Sequence, residues 1–258
     1  MTRRTLRKDW ATFTQADFRI ENNVWNKGDL VNGKDYTQTI SYDPKHLTTE
    51  LKFAWNWPKT DHLLAFPEIQ AGYKPWSESG SEALTSRISK LHTLDVSFDY
   101  DITGDKSLFN VGFDMWLTKQ PSAAAKSITT EISVWTHTGD IDPDGKKIGN
   151  YRDGKFQGEI WVDNDFSHAG NNQSWQYITI RSKHDVLDGS LDIAHLIDML
   201  VDKKLVTSSD FFNGYEFGAQ LTGGKGSLTI HDLEHDFAAA GNHQSVAEAH
   251  AAADQFWF

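Results

Sequence analysis

Phe109-Asn110-Val111-Gly112-Phe113-Asp114-Met115-Trp116-Leu117 carries the clearest strand pattern in the chain. Apolar side chains take every odd position, while the even positions hold Asn110, Gly112, Asp114 and Trp116. A period of two sends these sets to opposite faces of a strand, one toward a core and one away from it. The same period runs through Leu51, Phe53, Trp55 and Trp57, through Val96, Phe98, Tyr100 and Ile102, and through Ile132 with Val134 and Ile178 with Ile180. Turn signals such as Asn32-Gly33, Asp144-Gly145, Asp153-Gly154 and Gly223-Gly224 separate these runs. Many short half-buried strands with such turns read as an all-β sandwich or barrel of antiparallel strands.

One segment breaks the period. In Ser190 to Lys204, Ile193, Leu196, Ile197, Leu200 and Val201 recur at helical spacing. Ser190 is placed to cap this helix, Asp192 falls in its first turn, and Lys203 and Lys204 in its last. The expectation is one amphipathic helix over about 190–204, lying against the outside of a sheet. No repeat or linker interrupts residues 1–237, which read as a single domain. From Ala238 the composition turns Ala-rich, and 238–258 reads as a tail outside the core.

Composition narrows the function. In a chain of 258 residues a net charge of −11 works against a nucleic-acid or anionic-membrane partner, because both need a basic face. It has no cysteine, so disulfides, thiol nucleophiles and thiolate metal sites are excluded. No run approaches the ~20 apolar residues of a membrane span. The basic start Met1 to Asp9 is not followed by the apolar core of a signal peptide. Ten tryptophans exceed what a core needs, and stacking on sugar rings accounts for a surplus of that kind.

The faces turned away from the core carry chemistry. Opposite Ile132 and Val134 stand Glu131, Ser133, Trp135 and His137. Carboxylates beside large aromatics describe a wet, aromatic-walled groove suited to sugars. Glycosidic bond cleavage needs two carboxyls, roughly 5–5.5 Å apart for retention and roughly 6.5–9.5 Å for inversion. Glu131 is one candidate. The second belongs on Phe211 to Leu221, where Glu216 and Gln220 share a face, and spacing alone does not choose between them.

The chain resembles glycoside hydrolase family 12, the retaining endo-β-1,4-glucanases and xyloglucanases, from about residue 8 to 235. The resemblance rests on pieces in family order: Asn22-Asn23-Val24-Trp25, Trp55-Asn56-Trp57, Phe66-Pro67-Glu68-Ile69, Phe113-Asp114-Met115-Trp116, Glu131-Ile132-Ser133-Val134-Trp135 and Gly139-Asp140-Ile141-Asp142-Pro143-Asp144-Gly145. It implies a β-jelly roll of two antiparallel sheets with one packed helix. It also implies Glu131 as nucleophile, Asp114 hydrogen-bonded beside it, Trp135 as a wall near the cleaved sugar, and Asn23 and Trp25 lining a subsite. Trp116 and His137 join the expected substrate-binding set from their place on the groove faces. Counting back from Gly224-Lys225-Gly226-Ser227-Leu228, the family's acid/base Glu falls on Gln220, and Ser133 stands where the family usually carries Met.

An amide at 220 has no proton to give, so the expectation is a disabled hydrolase, by an introduced exchange or by natural loss. The alternative is a non-catalytic β-glucan-binding protein. The expected partner is a β-1,4-glucan or xyloglucan chain, with no cofactor, no metal, no nucleic acid and no membrane, acting as a monomer. The resemblance implies an extracellular setting. Asp140, Asp142 and Asp144 imitate the start of a calcium loop, but Tyr151 occupies the position of its bidentate Glu. His231 and His235 are four apart on a strand pattern, which separates them by ~13 Å.

Overall fold

The computed structural model describes residues 3–76, 82–121, 125–154, 156–167 and 173–239. Sixteen strands and one helix follow in chain order. The first six strands are β1 (Arg4–Leu6), β2 (Thr12–Gln15), β3 (Phe18–Glu21), β4 (Thr37–Tyr42), β5 (Leu51–Trp57) and β6 (Glu68–Gly72). The next five are β7 (Ser86–Arg87), β8 (Leu91–Gly104), β9 (Phe109–Thr118), β10 (Ile128–His137) and β11 (Lys146–Asp153). Then come β12 (Phe156–Phe166), β13 (Trp175–Ser182), β14 (Asp188–Asp192), α1 (Ile193–Asp202), β15 (Phe211–Leu221) and β16 (Gly224–Ala239).

They form a β-jelly roll of two stacked sheets. One sheet orders β1-β4-β5-β16-β8-β14, the other β11-β12-β13-β10-β9-β15-β6-β3-β2, with β7 on the end of β15. The core fills the space between them. Phe53 and Tyr100 from the first sheet meet Phe113, Tyr215 and Phe217 from the second, all fully buried. The odd-numbered residues of Phe109 to Leu117 all point into this core, as their period predicts.

Two features differ from the antiparallel expectation. First, β10 and β13 run parallel, with Glu131 beside Tyr177 and Ser133 beside Thr179. The β11–β12 hairpin intervenes in sequence but sits outside β13, which returns alongside β10 in the same direction. Second, β9 and β15 are buried or nearly so on both faces.

The helix is shorter than expected. Ser190 does not cap it but pairs with Ser97 as a residue of β14. Asp192 is the cap, and its carboxylate accepts the His195 N–H at 2.8 Å. At the far end Lys204 takes φ +59°, the left-handed conformation that stops a helix. Ile193, Leu196, Ile197 and Leu200 are buried, and α1 packs against β8. Strand β16 runs past Phe237, with Ala238 beside Thr93 and Ala239 beside Leu91. The rest of the Ala-rich stretch lies outside the described residues. His231 lies between Glu50 and Asp101 while His235 contacts the Tyr215 hydroxyl, so the two histidines serve different neighbours.

Candidate active site

The second sheet is the floor of a cleft of about 510 Å³. Its centre is three adjacent strands, β10, β9 and β15. Ser133 of β10 and Glu216 of β15 both lie level with Asp114 of β9, and Glu131 lies level with Trp116. Gly112 and Gly218 are paired across β9 and β15. A Cβ at Gly112 would stand 2.2 Å from the Val134 carbonyl oxygen, and one at Gly218 would stand 2.3 Å from that of Pro67. On β9 and β15 the floor therefore has no side chain between the row of Asp114 and the row of Gln220. Across that gap the Gln220 Nε2 donates to Asp114 Oδ2 at 2.9 Å.

The carboxyl groups share one electrostatic setting. Glu131 and Asp114 are each only 5% exposed. Burial pushes Asp114 up to about 6, against the pull of hydrogen bonds from Ser133 and Gln220. Glu131 is held well above the usual carboxylate range, by burial first and then by the charge of Asp114. The Trp175 indole opposes that shift by donating Nε1–H to Glu131 Oε2 at 2.8 Å. Ser133 sits in the middle. Its hydroxyl bonds the Asp114 carboxylate and its oxygen accepts the Trp135 Nε1–H at 2.9 Å.

A second buried cluster adjoins the first. The Lys74 ammonium lies 3.0 Å from Glu21, 3.5 Å from Glu216 and in contact with Glu68. Arg19 pairs with Glu21 at 3.1 Å. Burial raises Glu216 to about 7 despite Lys74, while Glu68 is pushed well above its ordinary range, again by burial first. Three carboxyls around two cations stay buried together only if protons or counter-charges balance them.

Asn23, Trp25, Asp114, Trp116, Glu131, Trp135 and Gln220, all expected from sequence, line this one cleft. His137 does not. Trp135 pairs with Gly112 but His137 with Val111, so Thr136 is an extra residue in β10. This bulge turns His137 out of the cleft-facing alternation. Its ring lies 5.2 Å from Phe109, with Nδ1 2.8 Å from Asp185 and Nε2 3.0 Å from the Lys106 carbonyl. His137, expected among the substrate-binding residues, thus lies outside the cleft lining.

Several lining residues escaped the sequence reading: Trp10, Arg19, Glu21, Lys74, Trp76, Phe166 and Tyr177. For Trp175 and Tyr177 the signal existed. Ile178 and Ile180 are core residues of β13, so the odd positions beside them face the cleft. Trp10 and Trp76 gave no periodic signal, since both sit in loops at φ +61°.

Comparison with known proteins fits this geometry. Residues 16–237 match the family described as glycosyl hydrolase family 12. Endoglucanase S of Pectobacterium parmentieri is 25% identical over 226 residues, covering 84% of this chain and 81% of that protein. The xyloglucan-specific endo-beta-1,4-glucanase A of Emericella nidulans is 20% identical over 226 residues, with 86% of each chain covered. A family 12 xyloglucanase from Bacillus licheniformis has the same fold, with a TM-score of 0.80 at 22% identity over 91% of this chain and 100% of that one.

Proposed function

The chain belongs to glycosyl hydrolase family 12, and from that premise we propose that it is a retaining endo-β-1,4-glucanase scaffold whose acid step is disabled by Gln220. The substrate class is a β-1,4-glucan or xyloglucan chain, in keeping with the names of its relatives. Glu131 is the nucleophile. Its carboxylate attacks the anomeric carbon, the glycosidic C–O bond breaks, and the chain beyond leaves as an alkoxide unless a proton meets it. Asp114 orients the site between the two. Gln220, at the acid position, offers an amide hydrogen bond to the leaving oxygen but no proton.

The observation that carries this reading is the contact between Gln220 and Asp114 on the floor that also holds Glu131. It supports the reading because an amide of carboxyl size contacts one of the groups assigned to the reaction. Water attack on the glycosyl–Glu131 ester suffers equally, because the same position supplies the general base. The cleft is open at the surface, which suits attack within a long chain and not only at its end. Secretion follows as part of the proposal, since the substrate is a wall polymer; among the described residues no helix is long and apolar enough to cross a membrane.

The test is reducing-sugar release from mixed-linkage β-glucan and xyloglucan by this chain and its Gln220→Glu variant, assayed side by side. A restored general acid raises the rate by ~10²–10⁴. If both chains bind glucan but are equally inert, the protein is a binding protein and the enzyme reading is wrong.

A further inference from the structure

We propose that Trp76, backed by Trp116 and Trp175, forms a stacking subsite for one sugar ring of the glucan beside Glu131. This rests on the glucan reading above. Trp76 is 56% exposed, the most exposed of the large hydrophobic side chains described. Such an indole presents a flat apolar face at the cleft, of the kind that the C–H face of a sugar ring covers. Its backbone carries a cost. At φ +61° a bulky aromatic side chain crowds its own carbonyl, and such strain persists only where the surroundings enforce it.

The surroundings do enforce it. Strand β6 ends at Gly72, whose φ of +83° and approach to Asn213 leave no space for a Cβ. The Tyr73 N–H then donates to the Asn213 carbonyl at 2.9 Å. Lys74 is tied to Glu21, Glu68 and Glu216, and Pro75 restricts the next bond. Trp76 is thus delivered to one place over the floor. There its ring meets Trp116 edge to face at 5.3 Å and lies tilted 5.8 Å from Trp175. Trp116 and Trp175 are themselves in edge contact at 5.8 Å.

This triad is anchored to the reacting group on two sides. Trp116 is the cross-strand neighbour of Glu131, and Trp175 donates to the Glu131 carboxylate. The Trp116 Nε1–H is buried and has no acceptor within the described residues. A bound glucose ring suits both indoles. Its C–H face covers the Trp76 indole, and a hydroxyl oxygen accepts from Trp116 once the ring is seated. Carboxylate, amide and ammonium groups lie on the floor beside this wall, so the ring's other hydroxyls find partners without leaving it.

The experiment is calorimetric titration of the protein with cellohexaose and with a xyloglucan oligosaccharide, before and after Trp76→Ala, Trp76→Phe and Trp76→Gly. Gln220 makes the present chain suitable, because turnover does not compete with binding. Trp76→Ala is expected to weaken binding ~10-fold or more, and Trp76→Phe to keep affinity within ~3-fold of the parent. Trp76→Gly should lose affinity like Ala while its Tm stays level or rises, since glycine relieves the strained φ. Affinity unchanged within about twofold in Trp76→Ala overturns the subsite. So does a fall in Tm of ~5 °C or more in Trp76→Gly, which would assign Trp76 to packing. If the parent binds neither oligosaccharide, the glucan reading itself has failed and the subsite falls with it.

Discussion

At the scale of single residues the site is decided by what each carboxyl touches. Glu131 must be ionised to attack, yet burial and the neighbouring Asp114 charge both favour its proton. The Trp175 N–H is the opposing contact, and Trp175→Phe removes it while keeping an aromatic ring, though a smaller one, at that place. A hydrogen bond to a charged group contributes ~1.5–3 kcal/mol, so the variant should form the glycosyl–Glu131 ester ~10–100-fold more slowly. An activated dinitrophenyl β-cellobioside reports that step, because its leaving group needs no acid and Gln220 does not limit it. The sign of the pH effect follows. Without the donor the Glu131 proton is held more tightly, so the acidic limb of the profile moves to higher pH. A limb that stays in place would show that Trp175 only packs. Ser133 acts in the same way on Asp114, a role open to a hydroxyl and closed to the methionine that the family resemblance led us to expect there.

At the scale of elements, the period of two was readable wherever a strand is regular, and it failed where the backbone leaves the pattern. Asp114, Glu131 and Gln220 could be placed on the groove face because β9, β10 and β15 alternate without interruption through them, whereas the choice of Gln220 over Glu216 came from the family resemblance. His137 was misplaced because one extra residue, Thr136, shifts the register and a bulge has no mark in the alternation. Lys74, Glu21 and Glu68 were not legible as a cluster. Their meeting depends on β3, β6 and β15 lying side by side, which local spacing does not encode. The helix cap shows the same limit on a smaller scale. Both Ser190 and Asp192 are good capping types two residues apart, and the pairing of β14 with β8 extends through Asp192 and delays the start. Asp192→Ala should therefore lower stability by ~1 kcal/mol and Tm by ~2–4 °C, while Ser190→Ala, exposed on an edge strand, should do less. Thermal unfolding of the two variants distinguishes the caps; equal losses would contradict the assignment.

At the scale of the whole molecule, the cleft stores charge that the fold does not solvate, and this sets how stability depends on pH. In the folded protein burial raises Asp114 to about 6 and Glu216 to about 7, with Glu131 and Glu68 higher than ordinary. An acid whose pKa is raised by folding binds its proton in the fold after the unfolded chain has released it. Its contribution to stability is complete below the unfolded value near ~4 and is lost as pH rises through the folded value. Asp114 and Glu216 therefore make stability fall between about pH 4 and pH 7. The net charge of −11 acts in the same direction by self-repulsion. The carboxyls shifted the other way, Asp61 and Glu159, are in surface pairs that contribute little. One pKa unit corresponds to ~1.4 kcal/mol, so the two cleft acids together account for a few kcal/mol and a Tm lower by ~5–10 °C at pH 8 than at pH 5. Glu216→Gln isolates the cleft from the general charge effect. It keeps the shape of the side chain and leaves Lys74 its contacts with Glu21 and Glu68, but removes one group that titrates. The variant should lose less Tm than the parent between pH 5 and pH 8, with the difference building up to about pH 7 and levelling off above it. Parallel curves for the two proteins would mean that Glu216 does not hold a proton in the fold, and that the Lys74 cluster is balanced by charge alone.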